Sequence, residues 1–349
     1  MNSLEMRAAV LRVTGQPLTV ETLSVPALSE GQVLVELAFS GVCASQLMEV
    51  RGHRGQDRWL PHLLGHEATG VVSSIGPGVE KVTEGQQVIL TWIRGTGLDV
   101  KGGTFHAGDQ LVNSGPVATF GTHAVVSENR LVPLPNGVPL DIGVLFGCAL
   151  LTGAGMVINE LQPAPQSSFA VFGLGGVGLS ALMAAAGLFG CRQIIAVDVS
   201  QAKLEAARLF GATHTINASH TDPVEAIRAL TGNVGTDYSV EASGRIEVIE
   251  QAFASVRKHG GLCLFASHPR TGQKISLDPH DLISGKRISG SWGGASQPDR
   301  DIPILAELYR EGRLPLETLL TNRYPLSDVN RALDDLESGT VFRPLLVLR

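Results

Sequence analysis

The fold is decided by residues 169–187, which read FAVFGLGGVGLSALMAAAG. Gly173, Gly175 and Gly178 fit the pattern G-x-G-x-x-G, and they stand between a strand-like apolar run and a helix-like segment. Asp198 follows 20 residues after Gly178, at the end of the next predicted strand. This order indicates a dinucleotide-binding βαβ unit. The alternative is a glycine-rich contact between a helix and a strand, with Asp198 as a surface residue.

The glycine turn has a physical role at each position. The first glycine permits a tight turn, the second lets a pyrophosphate approach the backbone, and the third lets helix and strand pack closely. Free N–H groups and the positive end of the helix dipole would then face the phosphates. The residues expected to bind the cofactor here are Gly173, Gly175, Gly176, Val177 and Gly178. Asp198 can accept hydrogen bonds from the adenosine ribose and would repel a 2′-phosphate, so NAD is favoured over NADP.

Strand-like and helix-like segments alternate around this turn. Ser200 is a good helix N-cap, and Asp222 is an N-cap followed by proline at the first helical position. Strands separated by helical crossovers predict an α/β fold with a doubly wound parallel sheet. The predicted strands are 169–172, 194–198, 214–216, 238–241, 262–266 and 288–291.

The first part of the chain has a different pattern. Short β-rich runs are separated there by turn signals such as Gly76-Pro77-Gly78. The predicted strands are 6–13, 32–39, 68–75, 87–91 and 122–126. From about residue 297 the pattern predicts two helices and a last strand, 344–348, which we expect to return to the first domain. We therefore predict a β-rich domain from residues 1–153 and 295–349, and a dinucleotide-binding domain from residues 154–294.

Composition narrows the functional classes. The chain has 349 residues, which suits two domains, and a net charge of −6 without a basic stripe, which argues against nucleic acid as a partner. Residues 167–191 hold no charged residue, but their six glycines favour a buried strand and helix over a membrane span. The four cysteines are scattered without a CxxC pair, and the N-terminus lacks a signal peptide pattern. We expect a soluble, cytosolic protein without disulfides.

Three residues have the character of metal ligands, namely Cys43, His66 and Cys148. They lie far apart in the sequence, so their spacing alone does not establish a site. The cysteines could instead be small buried hydrophobic residues, and His66 could be a core histidine with its hydrogen bonds satisfied.

Together with the glycine turn, these residues resemble the zinc-dependent alcohol dehydrogenases of the medium-chain dehydrogenase/reductase superfamily, over essentially the whole chain. The matching pieces are Gly41-Val42-Cys43, Gly65-His66-Glu67, Gly85 with Val88-Ile89, Gly147-Cys148 followed by Thr152-Gly153, the glycine turn with Asp198 and Lys203, residues 290–294, and Arg343. The resemblance implies a GroES-like catalytic domain formed by both chain ends, with a Rossmann domain inserted between them.

The resemblance also implies the roles of individual residues. Cys43, His66 and Cys148 would hold one catalytic Zn²⁺ with an open fourth position. Ser45 would take the proton of the substrate hydroxyl while the metal polarises its oxygen and NAD receives the hydride. The other implied roles are Glu67 near the metal, Thr152, Lys203 and Arg343 at the cofactor, and Trp92, Phe120 and Trp292 around the substrate.

The chain departs from the family pattern in several places. Many relatives carry a second, structural zinc in a lobe with four cysteines, but residues 94–115 contain none, so we expect ordinary packing to hold that lobe. Gln46 and Met48 stand where relatives often have a carboxylate and a histidine of the proton relay. The ligand histidine then lacks a charged partner. His53 is a candidate for another proton route, or a plain surface residue.

Arg54 suggests the substrate class. It stands in the segment that reaches over the substrate pocket in relatives, near a position where they have an aliphatic residue. A guanidinium there suits a small-molecule substrate with hydroxyl or carboxylate groups, such as a sugar, cyclitol or hydroxy acid. Alternatively, Arg54 points to solvent or pairs with Asp57.

The competing functions are a zinc-free quinone or enoyl reductase and a non-catalytic NAD-binding scaffold. We expect a homodimer or homotetramer.

Overall fold

The structure is a computed structural model that describes residues 4–320 and 322–349. The chain divides into two compact units. The first comprises Met1–Cys148, Gln297–Arg310 and Leu316–Arg349, and the second comprises Ala149–Ser296 and Glu311–Pro315. The sequence pattern predicts the boundaries at 153 and 294 instead, and it assigns residues 311–315 to the other unit.

The regular elements are named in chain order. The strands are β1 (Glu5–Leu11), β2 (Thr19–Ser24), β3 (Gln32–Gly41), β4 (His62–Leu63), β5 (Glu67–Ile75), β6 (Gln87–Thr91), β7 (Phe105–Ala107), β8 (Gln110–Val112), β9 (His123–Ser127), β10 (Leu131–Pro133), β11 (Ser168–Phe172), β12 (Gln193–Asp198), β13 (His214–Asn217), β14 (Tyr238–Glu241), β15 (Leu262–Phe265), β16 (Arg287–Gly290), β17 (Arg323–Pro325) and β18 (Leu345–Val347). The α-helices are α1 (Ala44–Val50), α2 (Leu140–Gly143), α3 (Ala149–Gly155), α4 (Gly176–Gly187), α5 (Gln201–Leu209), α6 (Pro223–Leu230), α7 (Ile246–Ser255), α8 (Pro279–Ile283), α9 (Pro298–Arg310) and α10 (Val329–Ser338).

The first unit is a β-structure. Among its described residues, one sheet has the order β4-β1-β2-β7-β8, and a second has the order β10-β6-β5-β3-β18-β17 with β9 also paired to β3. The last strand, β18, pairs antiparallel with β3, so the chain end does return to this unit. Strand β3 is buried along most of its length because it has neighbours on both edges.

Helix α10 is amphipathic and closes one core of this unit. Val329, Ala332 and Leu333 recur at helical spacing and are buried, whereas its other face is polar. They pack in one cluster with Val50 of α1 and with Phe120. This cluster fixes α1, which carries several predicted site residues.

The second unit contains the predicted parallel sheet. Its strand order is β13-β12-β11-β14-β15-β16, and each pairing is parallel. Strand β11 is followed by the glycine turn and by α4, which is buried over most of its length. Asp222 caps α6 by accepting hydrogen bonds from the N–H groups of Val224 and Glu225, which confirms the predicted N-cap.

Several short strands were not predicted from the sequence, among them β2, β7, β8 and β17. These strands have three to six residues, and their burial does not alternate regularly. In the described ranges, no single helix is long and apolar enough to cross a membrane, although the bent pair Leu140–Gly147 and Ala149–Leu161 has the required length and composition together. The apolar helix α4, in the uncharged stretch noted above, has only 12 residues.

Candidate active site

The three predicted metal ligands lie together in the first unit. The possible ligand atoms of Cys43, His66 and Cys148 are all within 4.8 Å of one another. Nε2 of His66 is buried and has no hydrogen-bond partner among the residues that the structure describes. A buried imidazole nitrogen without a partner costs free energy unless something else occupies its lone pair or accepts its proton. Two sulfurs and one such nitrogen fit a zinc ion.

Different local structures position the three ligands. Cys43 is the N-cap of α1 and has an extended backbone. His66 follows Gly65, whose φ of +92° is accessible to glycine at little cost. Cys148 follows the 3-10 turn Val144–Gly147, whose last carbonyl accepts a hydrogen bond from the Thr91 hydroxyl at 2.7 Å. The start of α1, the backbone turn at Gly65 and the 3-10 turn before Cys148 thus bring together residues that are distant in sequence.

Glu67 lies directly after His66 and is fully buried. Its carboxylate forms an ion pair with Arg343, which is itself only 3% exposed on its side chain. A Cβ added to Gly41 would lie 2.0 Å from Oε1 of Glu67, and one added to Gly147 would lie 2.7 Å from the Glu67 Cβ. Both glycines are therefore needed to make room for the glutamate beside the two cysteines.

The thiols and carboxylate of this site have perturbed acidity. A hydrogen bond from Cys148 holds the pKa of Cys43 well below its usual value, with Arg343 and His66 adding to the effect. The same hydrogen bond raises the pKa of Cys148. Burial raises the pKa of Glu67, although Arg343 opposes this. Cys43 is therefore the more acidic of the two thiols.

Gln46 contacts two members of the site. Its Oε1 accepts a hydrogen bond from the Cys43 N–H at 3.1 Å, and its amide nitrogen is hydrogen-bonded to Nδ1 of His66. The Ser45 hydroxyl lies 3.3 Å from the same Nδ1. The sequence alone shows that a glutamine at this position brings no charge. The structure shows in addition that its amide links Cys43 to His66. No sequence pattern signals that contact, and it was not predicted.

The glycine turn of the second unit forms an open cradle. Gly173 has a φ of +85°, and a Cβ there would lie 2.8 Å from the Ser243 nitrogen. A Cβ on Gly178 would lie 1.9 Å from the Gly173 carbonyl oxygen, whereas none of the surrounding atoms would touch one on Gly175. These spaces agree with the three roles that the pattern predicts, and α4 begins at Gly176 with its N–H groups at the turn.

The other predicted cofactor residues of this unit lie in different settings. Asp198 ends β12, and its carboxylate accepts hydrogen bonds from the N–H groups of Leu174, at 2.7 Å, and Ser200, at 2.9 Å. Thr152 on α3 is buried, and its hydroxyl has no hydrogen-bond partner in the described part of the chain. Lys203 is half-buried on α5. The Asp198 carboxylate thus ties the end of β12 to the glycine turn.

The predicted substrate residues differ in their burial and in the unit to which they belong. Trp92 is half-buried, and its ring centre lies 6.4 Å from that of His66. Phe120 is buried in the apolar cluster below α1, at 2% exposure. Trp292 belongs to the second unit, is 72% exposed, and packs against His268. Arg54 lies 3.6 Å from Glu49 and does not form the alternative pair with Asp57.

Comparisons with known proteins agree with these two units. Residues 29–136 match the alcohol dehydrogenase GroES-like domain, and residues 176–310 match the zinc-binding dehydrogenase domain. Alcohol dehydrogenase 2 of Zea mays is 30% identical over 370 residues, covering 98% of this chain and 97% of that protein. The chain belongs to the zinc-dependent, medium-chain alcohol dehydrogenase-like family. It is an alcohol dehydrogenase-type oxidoreductase.

Solved structures of the family have the same fold. The alcohol dehydrogenase zinc-binding domain protein of Burkholderia ambifaria is 33% identical, with a TM-score of 0.90 and full coverage of both chains. Benzyl alcohol dehydrogenase of Acinetobacter calcoaceticus is 30% identical, with a TM-score of 0.89 over 99% of this chain and 100% of that one. The GroES-like and Rossmann domains expected from the resemblance are therefore confirmed.

A buried carboxylate is one of the groups that hold the lobe of residues 94–115, which contains no cysteine. Glu128 is 3% exposed and accepts hydrogen bonds from three backbone N–H groups, those of Glu80, Lys81 and Leu98, each at 2.7 Å. These bonds lower the pKa of Glu128 despite its burial, which would raise it. The expected ordinary packing is also present, since Phe105 and Val112 of this lobe are buried in an apolar cluster. Glu128 was not predicted, because its donors lie in two separate loops.

Proposed function

We propose that this oxidoreductase is an NAD-dependent alcohol dehydrogenase with a catalytic zinc held by Cys43, His66 and Cys148. The observation that carries the proposal is the convergence of these three donors within 4.8 Å. Two thiolates and one imidazole leave a fourth position for water or substrate. When bound, zinc supplies Lewis-acid polarisation of the substrate oxygen, and NAD accepts the hydride.

The surrounding residues have separate tasks in this proposal. The Ser45 hydroxyl, at the first turn of α1, would accept the proton of the substrate hydroxyl while passing its own proton to solvent, since Ser45 is only half-buried. Nδ1 of His66 lies 3.3 Å from this hydroxyl. Gln46 fixes the orientation of the His66 ring. The Glu67–Arg343 pair places compensating charges next to the cysteines. Because this pair is fully buried, its charges are poorly screened by solvent and bear strongly on the thiolates.

A metal analysis tests the zinc proposal. Purified wild type should retain one tightly bound zinc per chain, and Cys148→Ser should lose it together with NADH production from alcohols. Cys191→Ser is the matched control, because Cys191 is also buried but lies in the other unit. Active wild type without metal would instead support a zinc-free reductase. Tight NAD binding without turnover on any alcohol would support a non-catalytic scaffold.

The choice of NAD over NADP rests on Asp198. Its carboxylate is fixed by the N–H groups of Leu174 and Ser200 and keeps lone pairs for ribose hydroxyls. Lys203 on α5 and the buried hydroxyl of Thr152 are proposed further contacts, as is Arg343. Wild type should show the higher kcat/KM with NAD, and Asp198→Ala should reduce that preference. A wild-type preference for NADP would contradict this role of Asp198.

For the substrate, we propose a polar secondary alcohol, with Arg54 as the group that recognises its additional oxygens. Arg54 is 42% exposed on its side chain, and Glu49 offsets part of its charge. A second candidate is an aromatic primary alcohol. It is favoured by the ring of Trp92 near His66 and by the likeness to benzyl alcohol dehydrogenase.

Arg54→Leu distinguishes the two substrate classes. If Arg54 binds a polar substrate, this variant should lower kcat/KM on the best sugar, cyclitol or hydroxy acid at least tenfold and leave benzyl alcohol unchanged. Arg58→Leu, an exposed arginine in the same loop, is the control. A wild type that prefers benzyl alcohol, with equal rates in the variant, would support the aromatic class.

We further propose that the protein forms a homodimer or homotetramer. Strand β16 ends the order of the six-stranded sheet, and it pairs only with β15 within the described residues. Ser289 and Gly290 are exposed on it, and Ile283 nearby in sequence is 80% exposed. An open strand edge beside apolar side chains favours pairing with another copy. Light scattering that gives a monomer mass at micromolar concentration would contradict this.

A further inference from the structure

A second group of possible metal ligands lies in the first unit. It consists of Glu49 on α1, Asp57 in the following loop, and His62 in β4, whose ligand atoms are all within 4.8 Å of one another. Nε2 of His62 is 2.8 Å from Oδ2 of Asp57 and 3.9 Å from Oε1 of Glu49. The His62 residue is 7% exposed, so this group is not an ordinary acidic surface patch.

The hydrogen bonds of His62 show what this group requires. Nδ1 of His62 lies 2.9 Å from the Leu63 carbonyl oxygen, which can only accept, so Nδ1 carries a proton. In the neutral ring, Nε2 then presents a lone pair to Asp57, whose Oδ2 is also an acceptor. Two acceptors at 2.8 Å repel each other unless Nε2 carries a proton or a metal cation binds both atoms as adjacent ligands.

Three features favour a metal cation over a proton. A proton on Nε2 is shared with one carboxylate, but two carboxylates converge on this nitrogen. Asp57 is oriented by the Trp59 N–H, which bonds its other oxygen at 2.9 Å and leaves Oδ2 directed at the ring. A histidine that donates its second ring N–H to a backbone carbonyl is the usual arrangement of a metal-binding imidazole.

We propose that Glu49, Asp57 and His62 form a site for a divalent cation, distinct from the cysteine site. One nitrogen and two carboxylate oxygens suit Mn²⁺ or Zn²⁺ and leave positions for water. Arg54, 3.6 Å from the other oxygen of Glu49, reduces the negative charge of the site. The cation therefore binds more weakly here than zinc binds to two thiolates, and it exchanges on dialysis.

The site would connect the two segments that carry ligands of the cysteine site. Glu49 lies on α1, the helix that Cys43 caps, and His62 stands four residues before His66. A cation bound by Glu49 and His62 would hold α1 against β4. This site would thereby stabilise the positions of Cys43 and His66 without touching a substrate.

Manganese distinguishes the two sites, because Mn²⁺ binds weakly to soft thiolate ligands and accepts carboxylate and imidazole. The experiment loads the protein with zinc, dialyses it so that only the cysteine site keeps zinc, titrates it with Mn²⁺ and follows free Mn²⁺ by electron paramagnetic resonance. We expect one Mn²⁺ per chain in wild type and at least tenfold weaker binding in Asp57→Asn and in His62→Gln. His53→Gln and Glu337→Gln, in the same loop and on α10, are controls that should bind as wild type does.

A melting experiment keeps the test decisive if His62→Gln does not fold. Mn²⁺ should raise the Tm of wild type and not that of the near-isosteric Asp57→Asn. Cys148→Ser should still bind Mn²⁺, because the cysteine site is separate. Absence of Mn²⁺ and Zn²⁺ binding beyond the cysteine site, equal binding in Asp57→Asn, or loss of Mn²⁺ in Cys148→Ser would each overturn the proposal, leaving a protonated His62 paired with Asp57.

Discussion

Removal of the Glu128 carboxylate should loosen the lobe of residues 94–115 and the neighbouring loop at residues 80–81. In the wild type, three backbone N–H groups donate hydrogen bonds to Glu128, each at 2.7 Å. In Glu128→Ala all three lose this acceptor. A hydrogen bond to a charged group contributes about 1.5 kcal/mol, so three of them amount to about 4.5 kcal/mol. Glu128→Gln keeps one oxygen and should cost roughly half as much.

The loss should be local and visible in hydrogen exchange. About 4.5 kcal/mol corresponds to roughly a 2000-fold loss of protection, since each 1.36 kcal/mol is a factor of ten. Exchange followed by mass spectrometry should show this in peptides that contain Glu80, Lys81 and Leu98. Glu84→Ala, which removes an exposed glutamate from the same loop, should leave protection unchanged.

The same carboxylate predicts a pH dependence. Its pKa is lowered in the folded protein, so its contribution is complete above the pKa of an unfolded glutamate, about 4.3. Protection of these amides, corrected for intrinsic exchange, should therefore hold from pH 7 down to about pH 5 and fall as the pH drops further through the lower, folded pKa. Unchanged protection in Glu128→Ala at pH 7 would refute the assignment of this lobe to Glu128.

Two further predictions concern the candidate metal site. When zinc occupies Nε2 of His66, Nδ1 carries a proton that the Gln46 amide nitrogen cannot accept. The carboxylate of Gln46→Glu can accept from both the Cys43 N–H and this Nδ1–H, so zinc should be lost to a chelator about tenfold more slowly than in wild type, whereas faster loss would contradict the contact. Gly41→Ala brings a Cβ within 2.0 Å of Glu67 and should lower both zinc content and Tm. Gly115→Ala, where the nearest atom to an added Cβ is the Val117 carbonyl oxygen at 3.7 Å, should leave both unchanged; full zinc content in Gly41→Ala would contradict the packing.

The sequence predicted those features that depend on local pattern. The glycine turn, its strand and its helix are contiguous, and their apolar periodicity and turn chemistry suffice to place them. The N-cap at Asp222 was predicted for the same reason. The strands β7 and β8 were not predicted, because three-residue strands carry too few residues to show alternation. Their existence depends on pairing with each other and with β2.

Contacts between distant residues could not be derived from the sequence alone. Cys43 and Cys148 were assigned to one site because the chain resembles a family, and not because of their spacing. Glu128 and the pair of Glu67 with Arg343 depend on loops and strands that meet only in the folded chain. The alternative pairing of Arg54 with Asp57 was wrong although the two residues are close in sequence, because Asp57 faces His62 and Arg54 lies near Glu49.

The glycines that precede Cys43 and Cys148 explain how the candidate metal site accommodates a buried glutamate. Gly41 and Gly147 lie against the same Glu67 side chain, one near its carboxylate and one near its Cβ. A buried carboxylate without a partner would be strongly destabilising, and Arg343 supplies the opposite charge from the far end of the chain. Because the chain end pairs with β3, next to Gly41, the strand that delivers Arg343 is fixed by the same sheet. Glycine spacing, sheet pairing and charge compensation therefore act together at this site.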